Sequence, residues 1–277
     1  WIFDVNGIIK PRGFGIRDLY LCGRNRFSRC SMLRILVVLT LCCFQLLAED
    51  RFAAQTQRMQ WIVEHYPPHN YADNGVFKGI GIDVFKELYR RKGIMIEDKD
   101  FVIYPWARAF QSAKNGDNVA LITMAYTEER SKDFQFVGPI LDSEVSIMSK
   151  SSRHIAIDKP EDLRDYVIGV VRKDIGETLL FDLGITPLQL VQVRDSKAVL
   201  KMLLLERVDL IAYAEMITRF ELEKMGNLYS PLQTQMVLTT TTVNFAFSNR
   251  VPTWDVKEVQ RELDKMREEG ETDLIQS

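Results

Sequence analysis

The stretch LITMAYTEERSKDFQFVGP, residues 121–139, starts as a buried strand and ends as a charged turn. Leu121, Ile122 and Met124 suit a strand covered on both faces. Thr127 then stands at a helix N-cap position, and Glu128 and Glu129 sit where acids meet the positive end of a helix. Arg130 gains nothing from that end, so it needs a partner. Chemistry alone leaves three readings open for it: a solvated charge, a surface pair with Glu128 or Glu129, or a grip on an anion from outside the chain.

The segments on either side set the fold class. QWIVE (60–64) reads as a strand, and HYPPHNYADNG after it reads as loop, because Pro67, Pro68 and the Asp73–Gly75 cluster break regular structure. A helix follows over 81–93, capped by Asp83 and stopped by Gly93. FVIY (101–104) is a strand. The segment 105–116 is a helix with Pro105 in its first turn and Gly116 past its end. The order is β-loop-α-β-α-β, which implies an α/β fold with a largely parallel sheet covered by helices. After Gly138-Pro139 the pattern restarts with EVSIMS, the turn KPEDLRD, the strand YVIGVV (166–171), the helix DIGETLLFDLG and the strand LQLVQV. A helix capped near Asp195 or Ser196, the strand DLIAY (209–213) and a helix over 214–226 complete a second α/β unit. The strand TTTTVNFAFSN (239–249) and an amphipathic helix over 253–270 end the pattern. FQSAKNGDNVALITMAYTEER and VLKMLLLERVDLIAYAEMITR share the run helix, acidic turn, apolar strand, polar tip, Arg. Both polar tips fall at the carboxyl ends of strands, where open α/β sheets bind ligands.

The 277 residues are 46% hydrophobic and 27% charged, which is too apolar for disorder and enough to bury a core. Residues 1–48 stand apart. Met32 opens MLRILVVLTLCCFQLLAED, with Arg34 as a basic flank, an apolar run from Ile35 to Leu47, and Ala48 before the acids. That layout is expected of a secretory signal peptide, Met32 to Ala48, preceded by an upstream extension, and it implies export to the periplasm. All four cysteines (Cys22, Cys30, Cys42, Cys43) precede Glu49, so thiolate metal sites and cysteine nucleophiles are excluded from 49–277. That segment has 29 basic and 36 acidic residues, a net charge of −7, which argues against nucleic acid and anionic membrane surfaces as partners.

No G-x-S-x-G, P-loop, G-x-G-x-x-G or H-E-x-x-H motif occurs. His65 and His69 are four apart, but Pro67 and Pro68 between them forbid the helix a zinc pair needs, so neither a metal nor another cofactor is expected. What remains is a vocabulary of aromatics and arginines near strand ends: Tyr66, Tyr71, Trp106, Arg108, Arg130, Arg172 and Tyr213. Arginine forks suit carboxylates, and aromatic faces sandwich flat or cationic groups. The competing readings are core packing for Trp106, a solvated charge for Arg108, and loop cover for Tyr66 and Tyr71. Glu64, Asp174 and Glu215 are the acids at these tips.

The chain resembles the bacterial extracellular solute-binding proteins of family 3, the periplasmic amino-acid-binding type. The cues are YPP…G…GIGIDVFKEL (66–88), GDNVALITMAYTEERSKDFQFVGP (116–139), DLRDYVIGVVRKDIGETLL (162–180) and RVDLIAY (207–213). The T-x-E-R…F…P element is the most specific of them. The resemblance implies a periplasmic-binding-protein-like type II fold. Its two Rossmann-like lobes would hold 49–141 with 238–277 and 146–234, joined by crossings at about 142–145 and 235–237. It implies a ligand held between lobes that hinge shut, and a closed form that an ABC permease in the inner membrane recognises. Arg130 takes the family's carboxylate clamp, Thr123 a hydroxyl of that clamp, and Tyr66 and Trp106 two aromatics on the ligand. Glu64, Arg108, Arg172, Asp174, Tyr213 and Glu215 complete the candidate set.

The departures are as informative. Ala125 stands where a hydroxyl is usual, Lys173-Asp174 where Gly-Ser/Thr is common, and Ala214 where an aspartate commonly holds the ammonium, with Glu215 beside it. The expected function is therefore capture of a small carboxylate-bearing solute by a monomeric binding protein without catalysis. The alternatives are a cyclohexadienyl dehydratase-like enzyme on the same scaffold, with Glu215, Asp174 or Glu64 as general acid, and an exported ligand-sensing module.

Overall fold

In the computed structural model, residues 51–226 and 231–272 are described. The predicted signal peptide lies outside the described residues. The described residues from Ala53 onward form one compact unit.

The strands are β1 (Gln60–Val63), β2 (Tyr71–Asp73), β3 (Val76–Lys78), β4 (Phe101–Ile103), β5 (Val119–Ala125), β6 (Phe134–Lys150), β7 (Ile168–Val171), β8 (Leu190–Val193), β9 (Leu210–Ala214) and β10 (Leu232–Ser248). The helices are α1 (Ile80–Arg91), α2 (Trp106–Asn115), α3 (Ile175–Asp182), α4 (Ser196–Leu204), α5 (Glu215–Lys224) and α6 (Thr253–Glu268). Eight strands form one mixed sheet in the order β4-β1-β5-β10-β6-β9-β7-β8, while β2 and β3 pair separately. β1 pairs in parallel with β4 and β5, and β7 pairs in parallel with β8 and β9. Each triple is a β-α-β-α-β unit, the element order that the sequence pattern predicts, and its first strand lies in the middle. None of the described helices is long and apolar enough to cross a membrane.

Between the triples run β6 and β10, each of 17 residues and antiparallel to one another. β5 flanks β10 at Val243–Phe247, and β9 flanks β6 at Val145–Met148. Asp142, Ser143 and Glu144 pair with Thr242, Thr241 and Thr240, and here the ribbon has no third strand.

Several local expectations are corrected. The segment read as loop after β1 contains the β2–β3 hairpin, with register Tyr71↔Lys78 to Asp73↔Val76. EVSIMS is the far part of a strand that already begins at Phe134, and the strand read over 239–249 begins at Leu232. Asp83 lies in the first turn of α1 and does not cap it; Gly79 does, at φ 112°. A side chain there would place its Cβ 2.4 Å from the Pro68 carbonyl oxygen, so only glycine lets the chain enter the helix beside that loop. Pro105 is the N-cap of α2, one place before its first turn.

The core follows the apolar periodicity. Trp61 packs against Phe85, Tyr89 and Phe247 at ring separations of 4.9, 5.3 and 6.5 Å, which joins β1 to α1 and β10. On the other side Ile147, Ile168, Val170, Leu180, Leu210 and Ala212 form a buried aliphatic cluster. α6 is tied to the end of α1 by Lys92–Glu258 at 2.6 Å and Arg91–Glu262 at 3.2 Å.

Candidate functional site

The carboxyl ends of β1 and β5 face those of β7 and β9, and the residues singled out in the sequence converge there. β1 delivers Glu64 and Tyr66. Asn70, fully buried, donates its Nδ2–H to the Glu64 carbonyl oxygen at 2.8 Å and so folds the following loop back onto the strand end. Asn70 Oδ1 also accepts the Thr123 hydroxyl. Thr123 itself has φ 70°, an uncommon backbone for a β-branched residue. Opposite it the β10 register slips between Asn244 and Ala246, the mark of a bulge that re-aims the end of β5.

That bulge leads into the turn that carries Arg130. Thr127 Oγ1 accepts the Arg130 N–H at 3.1 Å and starts the short 3-10 helix Arg130–Lys132. Glu128 and Glu129 are exposed, whereas Arg130 is 7% exposed, so neither glutamate takes it as a surface pair. The guanidinium donates to the Ala125 carbonyl oxygen at 3.1 Å. It lies over the Trp106 and Phe110 rings at 5.0 and 5.8 Å. Its nearest carboxylate is Asp174, from the other triple, at 3.9 Å.

Asp174 follows β7 and is the N-cap residue of α3. Burial raises its pKa against the lowering pull of Arg130. Burial likewise lowers Arg130. Glu64 is 7% exposed, and burial first, then Asp174, push its pKa well above the usual carboxylate range. Its Oε1 has no hydrogen-bond partner. Tyr66 and Tyr213 meet edge to face at 6.0 Å, and burial raises both phenols.

Further bonds cross from one triple to the other. Trp106 is 3% exposed and donates its Nε1–H to the Lys173 carbonyl oxygen at 2.8 Å, so it is core and site wall together. His65 Nε2 lies 3.1 Å from Glu221 Oε1 on α5. Tyr71 faces Phe220 at 6.4 Å.

Three candidates stand apart from this cluster. Glu215 is the first residue of α5 and pairs with Arg219 one turn on, at 2.6 Å. Arg108 is exposed and stacks on Tyr104 at 3.8 Å. Arg172 is exposed beside the strand end. Asn70, Phe110 and Glu177 belong to the site and are absent from the sequence-based set. Glu177 accepts the Lys173 N–H at 2.7 Å and thereby shapes the turn that holds Asp174. A groove of about 540 Å3 opens beside the cluster, lined by Phe110, Lys114 and Arg130 on one side and Lys173, Glu177 and Thr178 on the other. A second hollow, about 510 Å3, runs along α1 past Lys86, Arg90 and Met95 and contains none of the strand-end groups. Among the described residues no three His, Cys, Asp or Glu side chains are grouped to hold a metal ion.

The pattern of the family described as Bacterial extracellular solute-binding proteins, family 3, matches residues 61–277. The chain belongs to that family. None of the curated proteins matches it in sequence. Among solved structures it is similar to a histidine kinase sensor domain with similarity to periplasmic binding proteins, at TM-score 0.70 and 18% identity over 79% of this chain and 94% of that one. A mutant of ArgBP from T. maritima gives TM-score 0.69 and 20% identity, covering 82% and 96%. A substrate-binding protein of an ABC uptake transporter from Streptococcus pneumoniae, with bound histidine, gives 0.69 and 17%, covering 80% and 92%. The family 3 chain thus has the periplasmic-binding-protein fold, in a family of extracellular solute-binding proteins.

Proposed function

We propose that this family 3 protein captures a small carboxylate-bearing solute, an amino acid or related compound, between its two strand triples, without chemical turnover. It passes the solute to an ABC permease from the periplasm, as a monomer. The observation that carries the reading is Arg130: a buried guanidinium, aromatic-backed, whose nearest carboxylate stands at 3.9 Å, beyond direct hydrogen-bond reach. A ligand carboxylate can take the two-pronged contact that Asp174 leaves unmade. The histidine bound by the compared substrate-binding protein from Streptococcus pneumoniae supports the solute class. The two triples act as lobes, and the ribbon where only Asp142–Glu144 and Thr240–Thr242 pair is the place for a hinge.

Thermal shift of the purified protein against amino acids, organic acids and amines tests this, with Arg130→Ala beside it. The expected result is stabilisation of the wild type by at least one carboxylate. Arg130→Ala should weaken its binding by about 2–5 kcal/mol, the effect of truncating one partner of a buried charge pair. An equal response of both proteins to the same carboxylate rules out the clamp, and conversion of the bound compound would make the protein an enzyme.

A further inference from the structure

We propose that the groove between α2 and α3 holds the body of the solute, and that the solute is a short peptide bound by its terminal carboxylate at Arg130. The inference rests on the cleft reading above and adds a length and a direction to the ligand.

The groove is continuous with the clamp, since Arg130 forms part of its wall. Arg130 stands at the amino end of α3, 3.9 Å from the N-cap residue Asp174. From there the groove follows the helix. Ile175, Thr178, Leu179 and Asp182 line it, a helical spacing that puts all four on one face. At a helical rise of about 1.5 Å per residue, that face is about 10 Å long. An extended peptide advances roughly 3.3–3.6 Å per residue, so the groove takes about three residues. A free amino acid at Arg130 covers about one third of that length.

The walls suit a chain of peptide units. Phe110 on α2 and Leu179 on α3, both half-buried, supply apolar surface. Gln111 and Thr178, both exposed, face the groove from opposite helices with an amide and a hydroxyl. Between them these groups can donate to peptide carbonyl oxygens and accept from peptide N–H groups. Two charges nearby are already engaged: Lys114 holds Asp133 at 2.5 Å, and Glu177 accepts the Lys173 N–H at 2.7 Å. Toward the strand ends the halves are in contact, because Trp106 donates to the Lys173 carbonyl oxygen and Tyr66 meets Tyr213. A chain attached to the carboxylate therefore leaves through the groove.

Calorimetry tests this with each standard amino acid, the same amino acid extended at its nitrogen by alanyl, and by alanyl-alanyl. At least one tripeptide is expected to bind the wild type roughly tenfold or more tightly than the free amino acid at its carboxyl end. Blocking that tripeptide's carboxyl as an amide should cost roughly tenfold or more, because Arg130 then has no anion to hold. Thr178→Trp and Gln111→Trp each fill the groove from one wall. Each should weaken the tripeptide roughly tenfold more than it weakens the free amino acid. Having one variant on each helix keeps the test intact if one of them fails to fold.

Free amino acids that bind as tightly as all their extended forms overturn the groove while leaving the Arg130 clamp standing. Equal losses for tripeptide and free amino acid in the folded tryptophan variants do the same. If no compound with a free carboxylate binds, short or extended, the cleft reading itself falls.

Discussion

In the order β4-β1-β5 and again in the order β8-β7-β9, the first strand of a triple lies in the middle and the third lies against the long ribbon. Each triple also sets a glycine of the helix after its first strand against its third strand. A Cβ on Gly81 of α1 would come 2.5 Å from Thr123 Cγ2 on β5, and one on Gly176 of α3 would come 2.6 Å from the Ala212 carbonyl oxygen on β9. The scaffold is therefore repeated down to the close helix crossing. The charge is not repeated. Where the halves meet, one triple contributes Glu64 and Arg130, and the other Asp174 with Glu177 behind it. Topology decides that polar groups collect at these strand ends. Which sign of charge they carry, and hence what they hold, is set residue by residue on a frame that does not depend on it.

The crossing glycines give the largest expected difference between the halves. At Gly176 the obstacle is main chain, which cannot turn aside. At Gly81 it is mainly a threonine methyl, with the His69 carbonyl oxygen at 3.2 Å. Overpacking costs about 1–3 kcal/mol, and Gly176→Ala should sit at the upper end, with Gly81→Ala near about 1 kcal/mol. Urea unfolding midpoints at unchanged slope measure both. Equal losses would show that the two crossings are mechanically equivalent.

The parts of this frame that were legible in the sequence are those governed by local pattern. Val119–Met124, Ile168–Val171 and Leu210–Tyr213 are unbroken buried runs, and each reads as a covered strand. Arg130 was legible as a residue needing a partner, because the helix start around it has no use for a cation. The ribbon was not legible in full. Phe134–Ser143 and Leu232–Leu238 were not read as strand, and each is held in that state by pairing with the other strand of the ribbon, about 100 residues away in the chain. Gly79 displaced Asp83 as the cap of α1 because of an approach to Pro68 that no local rule contains. Asp174 and Arg130 are 44 residues apart, and only folding shows that they share a site. Glu215 was read from its neighbour Ala214, a ligand position by resemblance, and folding pairs it with Arg219 one turn along α5.

The bond from Trp106 to Lys173 joins the halves directly. Trp106→Phe keeps an aromatic at the position and removes the indole donor, at a net cost of about 1 kcal/mol. If the triples turn about the ribbon, the unliganded variant should also sample wider openings. Small-angle scattering is then expected to show a larger radius of gyration that returns to the wild-type value when ligand is added. An unchanged radius in the variant would mean that this bond is not one of the closures.

The weakest expected link lies at the rim. Lys224 of α5 places its Nζ 4.7 Å from the Tyr71 ring and 4.6 Å from the Phe220 ring, so one exposed cation serves an aromatic from each half. Such a contact is worth about 0.5–1 kcal/mol in water. Lys224→Gln and Tyr71→Leu, made singly and together, isolate it as a coupling energy, free of the packing each side chain contributes elsewhere. About 0.5 kcal/mol is expected between positions 224 and 71. A coupling near zero would mean that the lysine binds only Phe220, its own half's ring. The closing contacts would then reduce to Trp106–Lys173, His65–Glu221 and the ring pairs, all nearer the strand ends where Arg130 and Asp174 face each other.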